Sequence, residues 1–250
     1  MQKGLVSIIT PSYNCAKYIG DTIESVIAQT YTNWELLITD DCSTDDSLDV
    51  IHSYMEKDNR IKCFKMSHNS GAAMARNESM RNADGQYMAF LDSDDVWLTT
   101  KLEKQVSFMQ DNGYAFTCTS YSQIGAGGLS LERTIHALEK VDYNRLLLDC
   151  PVGNSTVMYS VEAMGKFEVP NIRKRNDDAL WLKMLRKEQY IWGLDDVLVN
   201  YRIRPNSISV NKFSLVKYHW KLYRDIEHLS VFRSIFHICY WGYLKVFKVK

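Results

Sequence analysis

Four times in the first 95 residues an apolar run ends in a polar cluster, and between these runs lie segments with helical spacing. The runs fall at 5–10 (LVSIIT), 34–39 (WELLIT), 61–66 (IKCFKM) and 86–91 (QYMAFL). Each is six residues long and bounded by polar residues, as a buried strand would be. The intervening helical segments are 18–30, with Ile19, Ile23, Val26 and Ile27 on one face, 47–56 and 71–82. Strand alternating with helix in this way predicts an α/β fold, a parallel sheet with helices on both faces.

The second half is less regular. It carries a helix at 101–112 and a strand at 114–121, then a flexible loop at 125–130. That loop lacks the lysine and the strand–helix context of a phosphate cradle. A strand at 156–159, a helix at 178–187 and a strand at 197–202 follow, and the last 35 residues read as helical and aromatic. At 250 residues the chain can bury one sizeable core. We divide it into a domain at 1–211, with halves at 1–98 and 99–211, and a tail at 212–250.

Thirty basic residues balance thirty acidic ones, which excludes a globally basic nucleic-acid binder. The balance conceals a split. The tail holds eight Lys or Arg against two Asp or Glu, a net +6, which leaves −6 for the domain. A basic tail points to a negatively charged surface as its partner. Its segment 231–247 (VFRSIFHICYWGYLKVF) suits a helix lying in an anionic membrane interface, with Trp241 and Tyr243 at headgroup depth. Packing on its own domain, or a homodimer contact, is the alternative. No run of about 18 uncharged apolar residues exists, so no membrane-spanning helix is expected. The opening MQKGLVSIITPSYN has too short an apolar run for a signal peptide. The six cysteines form no CxxC pair, which argues against zinc and for reduced thiols, as in the cytosol.

Ligands of open α/β sheets gather at the carboxyl ends of strands. Here those ends read Thr10-Pro11-Ser12-Tyr13-Asn14, Asp40-Asp41 and Asp92-Ser93-Asp94-Asp95. Two readings of the acids are open. Ser43, Asp45 or Asp95 could cap the helix that follows. Alternatively, the carboxylates hold a hard divalent cation that neutralises a diphosphate. Tyr13 offers an aromatic face for a base. Asp41 could accept the N3–H of uracil, whereas it would repel the bare N3 of cytosine. Arg76 could pair with a phosphate or a carboxylate. A DxDxT phosphotransferase reading of the last run fails at Val96, where threonine is required.

VSIITPSYN, WELLITDDCSTDDS, GAAMARN and GQYMAFLDSDDVW stand in this order over 5–110, and NDDALWLKMLRK and NYRIRPNSIS follow. Together they resemble a family 2 glycosyltransferase of GT-A fold from the bacterial cell-surface polysaccharide branch. The resemblance implies a Rossmann-like, mostly parallel central sheet with helices on both faces and a helical C-terminal extension. The half at 1–98 would bind nucleotide and 99–211 the acceptor. The implied nucleotide-sugar contacts are Pro11, Tyr13, Asn14, Asp41, Arg76, Asp92, Ser93 and Asp94. Asp92 would meet the ribose, and Asp94 would ligate Mn²⁺ or Mg²⁺ on the diphosphate. Asp177 is the implied general base, because the family places an acidic pair ahead of the apolar LWL run. Asn176 takes the first place of that pair and Asp178 stands where an aromatic is common, so both acids remain open as the base. Trp97, Asp178, Tyr201 and Arg202 are implied diphosphate or acceptor contacts, and the stretch of Tyr201, Arg202 and Arg204 would close over the donor diphosphate.

The implied enzyme is a metal-dependent, inverting hexosyltransferase. It would move a hexose or N-acetylhexosamine from a UDP-sugar to a hydroxyl of a saccharide carried on a polyprenyl diphosphate lipid. That chemistry belongs to O-antigen or capsule synthesis, on the cytoplasmic face of the inner membrane. One alternative is a sugar-1-phosphate nucleotidylyltransferase, which would need a Gly- and Lys/Arg-rich loop where PSYNCAKY stands. The other is a non-catalytic nucleotide-sugar-binding protein, which the loss of Asp94 or Asp177 would favour.

Overall fold

The computed structural model describes residues 1–204 and 212–247. The boundary at 211, the PNSIS part of NYRIRPNSIS and residues 248–250 lie outside the described residues. The expected alternation is present as β1 (Gln2–Ser12), α1 (Ala16–Ile27), β2 (Trp34–Asp40), α2 (Ser47–Met55), β3 (Ile61–Lys65), α3 (Ala72–Arg81) and β4 (Gly85–Phe90). β1 runs past Pro11, which lies opposite Thr39 near the end of the strand, where a missing ladder donor is tolerated.

The chain continues through β5 (Val96–Trp97), α4 (Lys101–Asn112), β6 (Phe116–Ile124), β7 (Ser130–Ile135), β8 (Lys140–Val141) and α5 (Tyr143–Leu148). Then come β9 (Met158–Ser160), α6 (Val161–Met164), α7 (Asn176–Met184) and β10 (Ile191–Arg202). Last are α8 (Lys212–Lys221), a π-helical turn at Leu222–Ile226 and α9 (Val231–Phe247).

One sheet holds all these strands, in the order β3-β2-β1-β4-β9-β6-β10-β5, with β7 on β6 and β8 on β10. β3, β2, β1 and β4 are parallel. β9 then runs antiparallel to both β4 and β6, while β10 is parallel to β6 and antiparallel to β5. The sheet is therefore parallel where helices cross over and mixed beyond. The 125–130 loop is the turn of a β6–β7 hairpin, which needs no crossover helix.

Each face of the sheet carries its own core. On one, α1 presents Ile19, Ile23 and Val26 to Ile8, Leu36 and Ile38. On the other, Trp181 of α7 meets Phe90 edge-on at 4.9 Å between ring centroids. Such pairs add about 0.5–1.5 kcal/mol to burial itself. Gly85 is required by close approach: a Cβ there would lie 2.6 Å from the Leu5 carbonyl oxygen.

α9 is two-faced. Ser234, His237 and Trp241 are buried against the domain, Trp241 with its ring centroid 4.5 Å from that of His219. Trp241 thus corrects the expectation of a headgroup position; the domain already covers it. Phe232, Ile235, Phe236, Tyr240, Tyr243 and Phe247 are exposed on the other side. Among the described residues no helix is long and apolar enough to cross a membrane.

Candidate active site

The carboxyl ends of β1, β2 and β4 open on one edge of the sheet, and the loops after β1 and β2 are stitched together. Asn14, at φ 46°, accepts from the Thr44 backbone N–H at 2.8 Å, and its own N–H donates to Ser43 Oγ at 3.0 Å. Pro11 is buried in β1, while Tyr13 is half exposed with its ring open to a ligand.

The acids after β2 brace backbone. Asp40 accepts from the Ser43 backbone N–H and hydroxyl. Asp41 accepts one backbone N–H on each oxygen, from Ser70 and Gly71, both at 2.7 Å, and so fixes the start of α3. A carboxylate has about four acceptor positions, so Asp41 keeps capacity for a further donor. Ser43 does not cap α2, because its hydroxyl goes to Asp40. Asp45 bonds the backbone N–H groups of Ala16 and Ser47.

The four residues after Leu91 have separate surroundings. Asp92 Oδ1 receives Arg76 Nη2 at 2.6 Å and Asn154 Nδ2 at 2.9 Å. Arg76 is buried, and its other arm donates to Asn176 Oδ1, so it joins the β4 end to the start of α7. Ser93 is buried. Asp94 is mostly buried, and Arg204 Nε lies 2.5 Å from its Oδ2. Burial and the neighbouring Asp92 push the Asp94 carboxyl up to about 6, against the pull of Arg204.

Asp95 is fully buried, with its carboxyl raised by burial, Asp94 and Asp92. It does not cap the following helix. It accepts the Arg202 backbone N–H at 2.8 Å and the Ser155 hydroxyl, and so ties β10 to this turn.

Two expected ligand contacts are redirected. Trp97 is buried and donates from Nε1 to the Ser155 carbonyl at 2.8 Å, with Lys101 Nζ 3.7 Å from the ring centre, so it packs in the core and not against a sugar. The Arg202 guanidinium gives Nη2 to Asp21 at 2.9 Å, Nε to the Asp94 carbonyl at 2.7 Å and Nη1 to the Ala126 carbonyl at 3.4 Å, so in this structure it braces the turn. The cation that reaches the Asp94 carboxylate is Arg204.

α7 starts at Asn176, two residues earlier than expected, so Asp177 and Asp178 share its first turn. Consecutive helical residues diverge by about 100°. Asp178 is buried and ion-paired with Arg175 Nη1 at 2.9 Å. Burial and Asp177 hold its carboxyl up at about 6, although Arg175 draws it down. Asp177 is partly exposed. A cavity of about 170 Å³ brings Asp177, Asp178 and Arg175 together with Asp92, Asn154 and Tyr201.

Asn154, Ser155 and Arg175 take part in this site, and sequence reasoning did not place them there; Arg204, expected with Tyr201 and Arg202 to close over the donor diphosphate, stands against the Asp94 carboxylate. The Gly153-Asn154-Ser155 run, ahead of an apolar strand, was the one local signal of a polar turn at hand.

No cluster of three or more His, Cys, Asp or Glu side chains is placed to hold an ion among the described residues. The donor set still fits a hard cation. Mg²⁺ and Mn²⁺ take oxygen ligands, and Mg²⁺ commonly binds one or two carboxylates with substrate phosphates completing its shell. Asp94 and Asp92 provide those carboxylates, and burial together with the neighbouring Asp92 charge disfavours the ionised Asp94 until a cation joins it.

The profile of glycosyl transferase family 2 matches residues 7–171. The chain belongs to this family. TuaG of Bacillus subtilis, named as a teichuronic acid biosynthesis glycosyltransferase, is 44% identical over 97% of this chain and 96% of its own length. WfgD of Escherichia coli is 39% identical over 90% of this chain and 87% of its own. Its name gives it as a UDP-Glc:alpha-D-GlcNAc-diphosphoundecaprenol beta-1,3-glucosyltransferase. Among solved structures, S. aureus TarS in complex with UDP-GlcNAc superposes with a TM-score of 0.70 at 20% identity. That match covers 87% of this chain and 65% of the TarS chain. This likeness speaks for the fold, which is GT-A. The nucleotidylyltransferase alternative gains no support from these comparisons.

Proposed function

We propose that the protein transfers a hexose or N-acetylhexosamine from a UDP-sugar to a hydroxyl of a saccharide on a polyprenyl diphosphate lipid, with inversion, in bacterial cell-surface polysaccharide synthesis. The observation that carries this reading is the shared cavity of Asp177 and Asp92. A partly open carboxylate from the second half of the chain faces the acidic turn of the first. The names of TuaG and WfgD support the pathway and the lipid-linked acceptor. We take 1–98 as the nucleotide half and 99–211 as the acceptor half.

In this mechanism Tyr13 stacks on the uracil and Asp41 accepts its N3–H. Asp177 takes the proton of the acceptor hydroxyl as that oxygen attacks the anomeric carbon. One displacement with one base turns an α-linked donor into a β-linked product. Asp178 is unsuited to that task because Arg175 holds it. Asp94, beside Asp92, would hold Mn²⁺ or Mg²⁺, which when bound neutralises charge on the departing diphosphate. Arg204 would be released from Asp94 at the same time and become available to a phosphate. The exposed stripe of α9 and the net +6 of 212–250 suit peripheral attachment to an anionic membrane on its cytoplasmic face.

The test is UDP release from a panel of UDP-sugars, with and without GlcNAc-diphosphoundecaprenol, in Mn²⁺ and in EDTA. Acceptor-stimulated release that needs the cation is expected. Equal turnover in EDTA would remove the metal from the mechanism, and release indifferent to every saccharide acceptor would remove the transfer reading.

A further inference from the structure

Arg175 joins three elements, and the transfer mechanism leaves that junction unexplained. Its Nη1 pairs with Asp178 in the first turn of α7 at 2.9 Å. Its Nη2 lies 3.0 Å from His219 Nε2 on α8, and its guanidinium carbon is 6.0 Å from the ring centre of Trp241 on α9. A guanidinium only donates, so in this contact Nε2 of His219 is the acceptor. The backbone at Arg175 is left-handed, φ 63° and ψ 24°, a conformation that non-glycine residues keep only where their surroundings enforce it. Here it stands as the N-cap of the helix that carries both acids.

Two adjacent carboxylates at one helix start would ordinarily compete for an acceptor hydroxyl and repel each other. At this junction one of them is taken out of the competition. Asp178 is buried under the guanidinium, and Asp177 keeps the open side. His219 and Trp241, from the two C-terminal helices, hold the guanidinium from behind.

We propose that Arg175 is a positioning residue that leaves the base role to Asp177, and that α8 and α9 hold it there, so the C-terminal helices belong to the transfer machinery. This rests on Asp177 being the base. The helix that carries the apolar stripe, α9, would then bear on the turn that holds Asp177.

The test uses the full chain, with UDP as the probe of donor binding and UDP release as the measure of transfer. Arg175→Ala should bind UDP within about twofold of the unaltered protein and lose roughly tenfold or more in kcat, with little change in donor KM. Arg175→Lys, which keeps a cation beside Asp178, should regain about threefold of that loss or more. Trp241→Leu, remote from any ligand, should lower kcat by about threefold. An Arg175→Ala protein that binds UDP and transfers at the original rate overturns the proposal. If that variant does not fold, an unchanged kcat in Trp241→Leu overturns it instead. Asp177→Asn separates the two readings. If it stays active, the base assignment itself falls; if it is dead beside a fully active Arg175→Ala, only the positioning role falls.

Discussion

Asp177 and Asp178 are neighbours in sequence and opposites in environment, one partly open and one buried beneath a guanidinium. Asp177→Asn should lower transfer by about 10²–10⁴-fold with donor affinity kept, whereas Asp178→Asn should keep much of the rate. A dead Asp178→Asn beside an active Asp177→Asn would reverse the assignment. Asp178 also has a pH signature. Its folded acidity, about 6, lies above the ordinary 3.8, so the native state binds the extra proton between those values. Stability from this group is therefore present at low pH and lost as pH rises through that window. Melting temperatures from about pH 4.5 to about pH 7 should fall less steeply in Asp178→Asn than in the parent; equal slopes would contradict the shift. Arg204 supports a second prediction. It is the internal counter-ion of Asp94, so Arg204→Ala should tighten Mn²⁺ binding to the nucleotide-free protein, by about tenfold if the pair is worth ~1.5 kcal/mol. Titration calorimetry with Mn²⁺ alone reads this, and an unchanged affinity would mean that the pair does not compete. Asp92, Asp94, Asp41 and Arg76 stand out in the sequence as candidates because each sits in a short linear motif at a strand end or on the adjacent helix. Asn154 and Arg175 do not, because they meet the acidic turn or the helix of Asp177 only through tertiary packing. Trp97 and Arg202 show the complementary effect: an aromatic and a cation beside a site read as ligand contacts, while burial and partners, which no linear pattern carries, commit them to protein groups.

The first four strands and three helices were readable because period-two and period-3.6 patterns alternate there with clear polar breaks. In the second half the strand expected at 156–159 is β9, shifted to Met158–Ser160, whereas β8 spans two residues, too few for any periodicity to register, and β7 is almost wholly exposed. The start of α7 was placed late because its first turn is acidic and polar, although Asn176 and Asp178 are buried there by their partners. α9 was readable as helical and aromatic, but not as two-faced, since both of its faces carry large side chains. Its outer stripe supports a third prediction. Phe232 and Phe236 are 86% and 58% exposed, and full burial of one such side chain is worth about 1.5–3 kcal/mol. Phe232→Ser with Phe236→Ser should weaken cosedimentation with anionic vesicles by roughly tenfold or more while leaving UDP binding unchanged. Undiminished sedimentation, or conversion of a dimer to a monomer in the variant, would assign the stripe to another partner.

At the scale of the whole molecule, one sheet joins the two halves, and the acidic turn lies where they meet. β5 has a single strand partner, β10, through Trp97 with Val199 and Val96 with Asn200. Asp95 is likewise satisfied from later in the chain, by the backbone of Arg202 and the hydroxyl of Ser155. This closure has a consequence for the order in which a ribosome delivers the chain. β1 to β4 can pair with one another as soon as residue 90 is out, but the turn that follows them waits for a strand 102 residues later. At about 5–20 residues per second, that wait is roughly 5–20 s. For the first part of it, until β9 emerges, the nascent chain holds a parallel half-sheet with β4 as an open edge, and Asp95 lacks its later partners. An unpaired strand edge is a template for wrong pairing. The charges of Asp92, Asp94 and Asp95, still hydrated at that stage, would keep the end of that edge from joining another chain until β9 covers it.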